Sequence, residues 1–177
     1  MSEIYLGNPN LKKANTPIQF SAEQIEEFLK CKNNPVYFAQ KYVKIVSLDE
    51  GLVPFQPYKF QEKLIKRFHK NRFNICKMPR QTGKSTTVVS YLLHYAVFND
   101  SVNIGILANK AATARELLGR LQTAYENLPK WMQQGVLVWN RGSLELENGS
   151  KILAASTSAS AVRGMSFNIL FLDEFAF

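Results

Sequence analysis

Apolar residues change their rhythm along this chain near position 72. Before it they recur at helical spacing in short blocks, and after it brief continuous apolar runs alternate with longer helical stripes. Residues 1–20 are polar, without periodicity, and read as an extended lead-in. Ser21-Ala22-Glu23-Gln24 has the form of a capping box, and Ile25, Phe28 and Leu29 then give one apolar helical face. Pro35 after Asn34 fits the first turn of a second short helix, carried by Val36, Ala39, Tyr42 and Val43. Pro54 and Pro57 flank a loop at Phe55-Gln56, after which Phe60, Leu64 and Phe68 at every fourth residue predict a helix of about three turns.

Beyond that point strand and helix patterns alternate. Residues 73–78 read as a strand, 86–98 as a buried helix and 102–107 as a second strand. Ala111, Ala114, Leu118, Leu121 and Tyr125 mark a long helix ending near Pro129. Residues 136–139 and 144–146 read as short strands, and Asn148-Gly149 signals a two-residue hairpin before a strand at 152–155. Ile169 to Leu172 is the continuous apolar run expected of a central strand covered on both faces. This order predicts an α/β fold with a mostly parallel sheet and an inserted hairpin. A helical lead over 1–43 would precede the sheet domain over 44–177. A doubly wound sheet does not normally stop so soon after such a strand, so the domain is expected to be incomplete at its C-terminus.

Composition narrows the function classes. The 177 residues carry 22 Lys+Arg against 14 Asp+Glu, a formal net charge of +8, with ordinary globular hydrophobicity. The longest nearly apolar stretch, 88–98, is broken by Ser90 and His94 and falls short of the roughly 20 residues a membrane span needs. No basic-then-apolar leader is visible at the start. Cys31 and Cys76 stand in no metal or redox spacing and read as reduced, small apolar residues. A basic domain with a polyanionic partner remains. Positive charge is densest from Lys59 to Arg80, through Lys63, Lys66, Arg67, Lys70, Arg72 and Lys77, where a solvated helix face and a phosphate-binding surface both fit.

The most specific motif is Met78-Pro79-Arg80-Gln81-Thr82-Gly83-Lys84-Ser85, between an expected strand and an expected helix. Backbone N–H groups of such a turn, and the helix N-terminus that follows, can face phosphate oxygens. Gly83 permits close approach, Lys84 would reach β- and γ-phosphates, and the Ser85 hydroxyl could ligate Mg²⁺. Gln81, Thr82 and Thr86 complete the candidate nucleotide-binding stretch. The general pattern has Gly where Met78 stands. Asp173-Glu174 follows the last apolar run, where open α/β sheets bind ligands at strand C-terminal ends. Asp173 is the candidate metal ligand and Glu174 the candidate general base.

Gln56 and Gln61, the Pro-Arg-Gln-Thr-Gly-Lys-Ser loop, Ile-Leu-Ala-Asn-Lys at a strand exit, Ala161-Val162-Arg163-Gly164 and the Phe-Leu-Asp-Glu end together resemble the ATPase domain of tailed-phage large terminase subunits. The likeness runs from about Tyr5 to Phe177, and the opening Gly-Asn-Pro-Asn-Leu-Lys-Lys-Ala-Asn looks most like contractile-tailed phages. A loop without the first Gly is usual in that family. The resemblance implies a RecA-like (ASCE) P-loop NTPase binding ATP and Mg²⁺, and translocating double-stranded DNA into a procapsid. It also implies portal protein and small terminase subunit as partners, a homo-oligomeric ring, and action in the cytoplasm of the infected host.

By the same resemblance, Arg80 matches an arginine finger contributed in cis, and Gln56 and Gln61 match adenine-reading glutamines, with Tyr58 between them able to stack on a base. Asn109-Lys110, extended by Arg115 and Arg120, matches positions that touch DNA backbone; a solvated helix face is the alternative. The role of Arg163-Gly164 is left open, and Trp131 and Trp139 read as packing residues. The coupling segment and nuclease domain of such subunits are not expected within these residues, which leaves open whether the chain alone hydrolyses ATP. Two other readings stay open at this point: a helicase-like translocating ATPase, and a non-hydrolysing module that binds DNA or a partner through basic helices.

Overall fold

A computed structural model describes residues 3–47, 49–158 and 164–174. The expected caps form. In α1 (Ala22–Asn33) the Gln24 amide N–H donates to Ser21 Oγ at 3.2 Å, and the Gln24 side chain accepts from the Ser21 N–H at 3.1 Å. Asn34 caps α2 (Pro35–Tyr42) by accepting from the Tyr37 N–H at 3.1 Å, with Pro35 in the first turn. Glu27 ties the two helices together, accepting from Lys41 Nζ at 2.8 Å, Tyr42 OH at 2.9 Å and Tyr37 OH at 3.2 Å.

The polar lead-in is partly a hairpin, β1 (Ile4–Tyr5) with β2 (Asn8–Lys12), rather than wholly irregular. Its anchors lie far along the chain. Lys12 Nζ donates to Glu147 at 2.8 Å, and the Lys12 N–H donates to Gln133 Oε1 at 3.0 Å. A second hairpin, β3 (Lys44–Ser47) with β4 (Gly51–Pro54), was also not expected. Next come α3 (Lys59–Lys70), α4 (Lys84–Phe98), β5 (Asn103–Ala108), α5 (Ala111–Glu126), β6 (Val136–Trp139), β7 (Ser143–Leu146), β8 (Lys151–Ser156) and β9 (Ile169–Asp173).

The main sheet has the order β6-β7-β8-β5-β9. β5 runs parallel to β8 and β9, while β6–β7 and β7–β8 are antiparallel, so the sheet is mixed rather than mostly parallel. The turn before β8 spans four residues, not two. Leu146 N–H donates to Ser150 O, and Asn148 uses its side chain to bond Ala96 O and Asn99 O, fastening the turn to the end of α4. α5 buries Ala114, Leu118, Leu121 and Tyr125 as its stripe predicted. α4 is buried nearly all round, including Leu92, Leu93, Val97 and Phe98. One apolar core joins Leu11, Phe38 and Ile65 to α4, α5 and the sheet.

Two further expectations are corrected. Residues 73–78 form no strand. They make no ladder bond among the described residues, and Phe73 and Ile75 are 82% and 100% exposed. Apolar content alone cannot make a strand, which needs a neighbour to accept its N–H groups. β9 is an edge strand rather than a central one, and Leu170 stands 48% exposed on its uncovered face. The helix expected from Phe60, Leu64 and Phe68 forms as α3, twelve residues long, with Gln61 and Ile65 buried, Phe68 packed against the core and Phe60 41% exposed.

His94 sits within the core, 1% exposed, with Nε2 at 2.9 Å from Cys31 O and rings of Phe38 and Phe98 against it. Among the described residues its Nδ1 has no hydrogen-bond partner. Burial pushes its pKa down to about 4, so the folded chain takes up fewer protons than the unfolded one below the unfolded pKa of about 6.5. The stability from neutral His94 is complete above about pH 6.5 and is lost as pH falls towards 4. Denaturant midpoints at pH 7.5 and 5 should therefore differ, and His94→Gln should flatten that difference. An equal pH response in the variant would exclude His94 as its source.

Candidate nucleotide site

The loop before α4 is held by its own short-range bonds. Thr82 Oγ1 donates to Pro79 O at 3.0 Å, and Thr87 Oγ1 donates to Gly83 O at 2.9 Å. Gln81 (φ 61°) and Gly83 (φ 71°) are both left-handed, which turns the chain sharply into the helix. Gly83 is required twice over, because a Cβ there would stand 2.5 Å from Gln61 Nε2. The first-turn N–H groups of α4 have no intrahelical acceptor, which leaves a cluster of donors with partial positive charge at the loop.

The carboxylates arrive from the sheet. Asp173 pairs in register with Ala108, which also pairs with Ser156, so the C-terminal ends of β9, β5 and β8 lie at one edge. Asp173 is 6% exposed, and Glu174 is exposed with φ 49°. Successive strand residues face opposite sides. The left-handed break at Glu174 turns the chain so that both carboxylates border the same space. Burial raises the Asp173 pKa above its ordinary value, and Glu174 adds to this, while the Lys84 ammonium and, more weakly, Arg120 oppose it.

Loop and acids meet in a cleft of about 220 Å³. Arg80, Gln81, Thr82, Lys84 and Ser85 line one side, and Asp173 and Glu174 the other. A hollow of about 280 Å³ near Phe28 and Trp131 is larger, but its charged pair, Lys12 and Glu147, is already joined at 2.8 Å and leaves no chemistry free. A hydroxyl, buried and exposed carboxylates, a lysine and a helix N-terminus suit a polyphosphate with Mg²⁺, which takes hard oxygen ligands from one or two protein groups and the phosphates themselves. Among the described residues no denser group of His, Cys, Asp and Glu could hold a metal.

The other candidates lie around this cleft. Thr86 is in the first turn of α4 but does not line it. Gln56 is exposed on the loop before α3, and Tyr58, 69% exposed, stacks on Phe60. Gln61 is 3% exposed and lies behind the loop, with its amide engaged at both ends. It accepts from the Tyr58 N–H at 2.8 Å and donates to Thr82 O at 3.1 Å. This bracing contact was not anticipated, although Gln at the third position of a helix, as in a capping box, was a readable signal. Asn109 and Lys110 are exposed at the sheet edge, and Arg120 pairs with Glu116 at 2.6 Å. Arg163, with Ala161 and Val162, lies outside the described residues.

Among the described residues no helix is long and apolar enough to cross a membrane. The crystal structure of the HK97 bacteriophage large terminase is similar in fold, with a TM-score of 0.66 at 18% identity over 80% of this chain. The chain spans 30% of that protein's length. The family described as terminase large subunit, T4likevirus-type, N-terminal matches residues 75–177, more than half of the chain. With the phosphate-type loop, the sheet-edge carboxylates and the matched fold in agreement, the chain belongs to the terminase large-subunit family and corresponds to its N-terminal part.

Proposed function

We propose that this chain is the ATPase portion of a viral packaging motor, a RecA-like P-loop NTPase that hydrolyses ATP to move double-stranded DNA into a procapsid. The single observation that carries the reading is the shared cleft of Lys84 and Asp173, which come from opposite ends of the fold's C-terminal half. The first-turn amides of α4 and the Lys84 ammonium hold the β- and γ-phosphate oxygens. Ser85 and Asp173 would hold Mg²⁺, which when bound would neutralise charge on the phosphates. Glu174 accepts a proton from the attacking water, and Arg80 stabilises charge that develops on the γ-phosphoryl oxygens. Gln61 keeps the loop in register by tying Thr82 to the start of α3.

DNA, a portal protein and a small terminase subunit are the partners this reading requires. A homo-oligomeric ring acting in the cytoplasm of the infected bacterium is its setting. Gln56 and Tyr58, exposed on the segment before α3, are the groups that could meet a base edge and face. Binding of a fluorescent ATP analogue in Mg²⁺ tests the site. Lys84→Ala should weaken it about 100-fold, the scale of losing two charge-assisted contacts. Undiminished affinity would remove Lys84 from the site and the ATPase reading with it.

A further inference from the structure

We infer that the outer face of α3 is a docking surface for the phosphate backbone of double-stranded DNA. The inference rests on the packaging-motor reading and adds to it a place of contact. Lys59, Lys63, Lys66 and Lys70 follow at steps of four, three and four, which at 100° per residue confines them to an arc of about 60°. All four are exposed, as is Arg67 beside them. The opposite side of the helix carries the buried Gln61 and Ile65. The cationic stripe therefore faces outward while the helix is clamped from behind.

Charge balance separates this face from an ordinary solvated one. Solvated helices usually interleave Glu and Lys one turn apart, which stabilises them, whereas like charges at that spacing do the reverse. Here Lys59 and Lys63, Lys63 and Arg67, and Lys66 and Lys70 are all like-charged pairs at i,i+4. Lys59 also sits at the positive end of the helix dipole, where a cation is disfavoured, while Arg67 and Lys70 lie in the last turn, where it is favoured. Among the described residues the ion pairs join Lys12 to Glu147, Lys41 to Glu27, Arg120 to Glu116 and Lys151 to Glu145, and none uses a cation of α3. The α3 carboxylate, Glu62, accepts from Gln40 Nε2 at 3.0 Å.

A largely self-repelling row, with Glu62 as the one acid of the helix against Lys59, Lys63, Lys66, Arg67 and Lys70, complements an external polyanion. Its regularity favours a duplex, whose charge is evenly spaced. The stripe extends about 16 Å along the helix, comparable to roughly five base-pair steps. Through the Gln61 bond to Thr82 O at 3.1 Å, the same helix touches the phosphate loop, which places the docking face and the nucleotide cleft on adjoining elements.

Anisotropy of a labelled DNA duplex between 50 and 200 mM salt tests the surface, with fluorescent-nucleotide binding read on the same samples. Replacing Lys59, Lys63, Lys66 and Lys70 together by Gln should lower the slope of log affinity against log salt by about 3–4, and leave nucleotide binding intact. A control that neutralises the exposed Lys13, Lys32, Lys44 and Arg141 should leave most of the slope in place. An unchanged slope in the α3 variant, as expected if the face served an acidic protein instead, overturns the inference. So does an equal loss in the control, which would make net charge the cause. Absent nucleotide binding in the unsubstituted protein would instead count against the ATPase reading alone.

Discussion

Arg80→Ala is expected to cut ATP turnover by about 10³–10⁵ while changing nucleotide affinity only a few-fold. Arg80 lines the cleft with its side chain exposed, and no carboxylate pairs with it among the described residues. Its guanidinium is therefore available to the cleft. Its backbone is confined between Pro79, whose carbonyl accepts from Thr82 Oγ1, and the left-handed Gln81. If the guanidinium meets charge that grows on the γ-phosphoryl group only in the transition state, its effect falls on the barrier rather than on binding. Arg80→Lys should restore little, because an ammonium lacks the planar fork that grips two oxygens. Single-turnover hydrolysis reads the barrier directly. Turnover at the unsubstituted level would strip Arg80 of this role.

Glu174→Gln should lower hydrolysis by about 10²–10⁴, with nucleotide and duplex binding retained. The two neighbouring acids occupy opposite environments, and this divides their work. Asp173 is 6% exposed and its pKa is raised by burial, with the Lys84 ammonium pulling the other way. That suits a fixed ligand, with the nearby Lys84 cation opposing the effect of burial on its charge. Glu174 is exposed beyond the strand end, in a left-handed conformation that costs a residue with a side chain about 1–2 kcal/mol. Gln81 bears a similar strain across the same cleft. A glutamine preserves shape and hydrogen bonding but cannot take a proton, so loss of turnover with intact affinity isolates the proton transfer. If affinity fell as far as turnover, Glu174 would be a binding group and not the base.

Much of the local architecture was legible before any coordinates. The capping box at Ser21, the proline turn at Pro35 and the buried stripe of α5 depend on residues within a turn or two of each other, and all three form. The parallel pairing of β5 with β9 also fits the apolar runs that announced them. Elements held by distant partners were harder to see. The β1–β2 hairpin is polar, and its anchors Gln133 and Glu147 lie more than a hundred residues away, so no local period betrays it. The run at 73–78 has the composition of a strand and lacks a paired neighbour, and β9 has the composition of a buried strand and stands at an edge.

The candidate site divides along the same line. Its chemical vocabulary was written in order along the chain: a glycine where the turn must be left-handed, a lysine and hydroxyl opening a helix, and two acids closing a strand. Those depend on backbone conformation and side-chain type, which are properties of near neighbours. That the lysine and the acids border one cleft, that Gln61 turns inward to brace the loop, and that the lysines of α3 all face out without an ion pair among the described residues depended on through-space packing. Sequence order does not encode such contacts residue by residue. They appear only once burial of α3, α4 and the sheet against a common core has set where each face points.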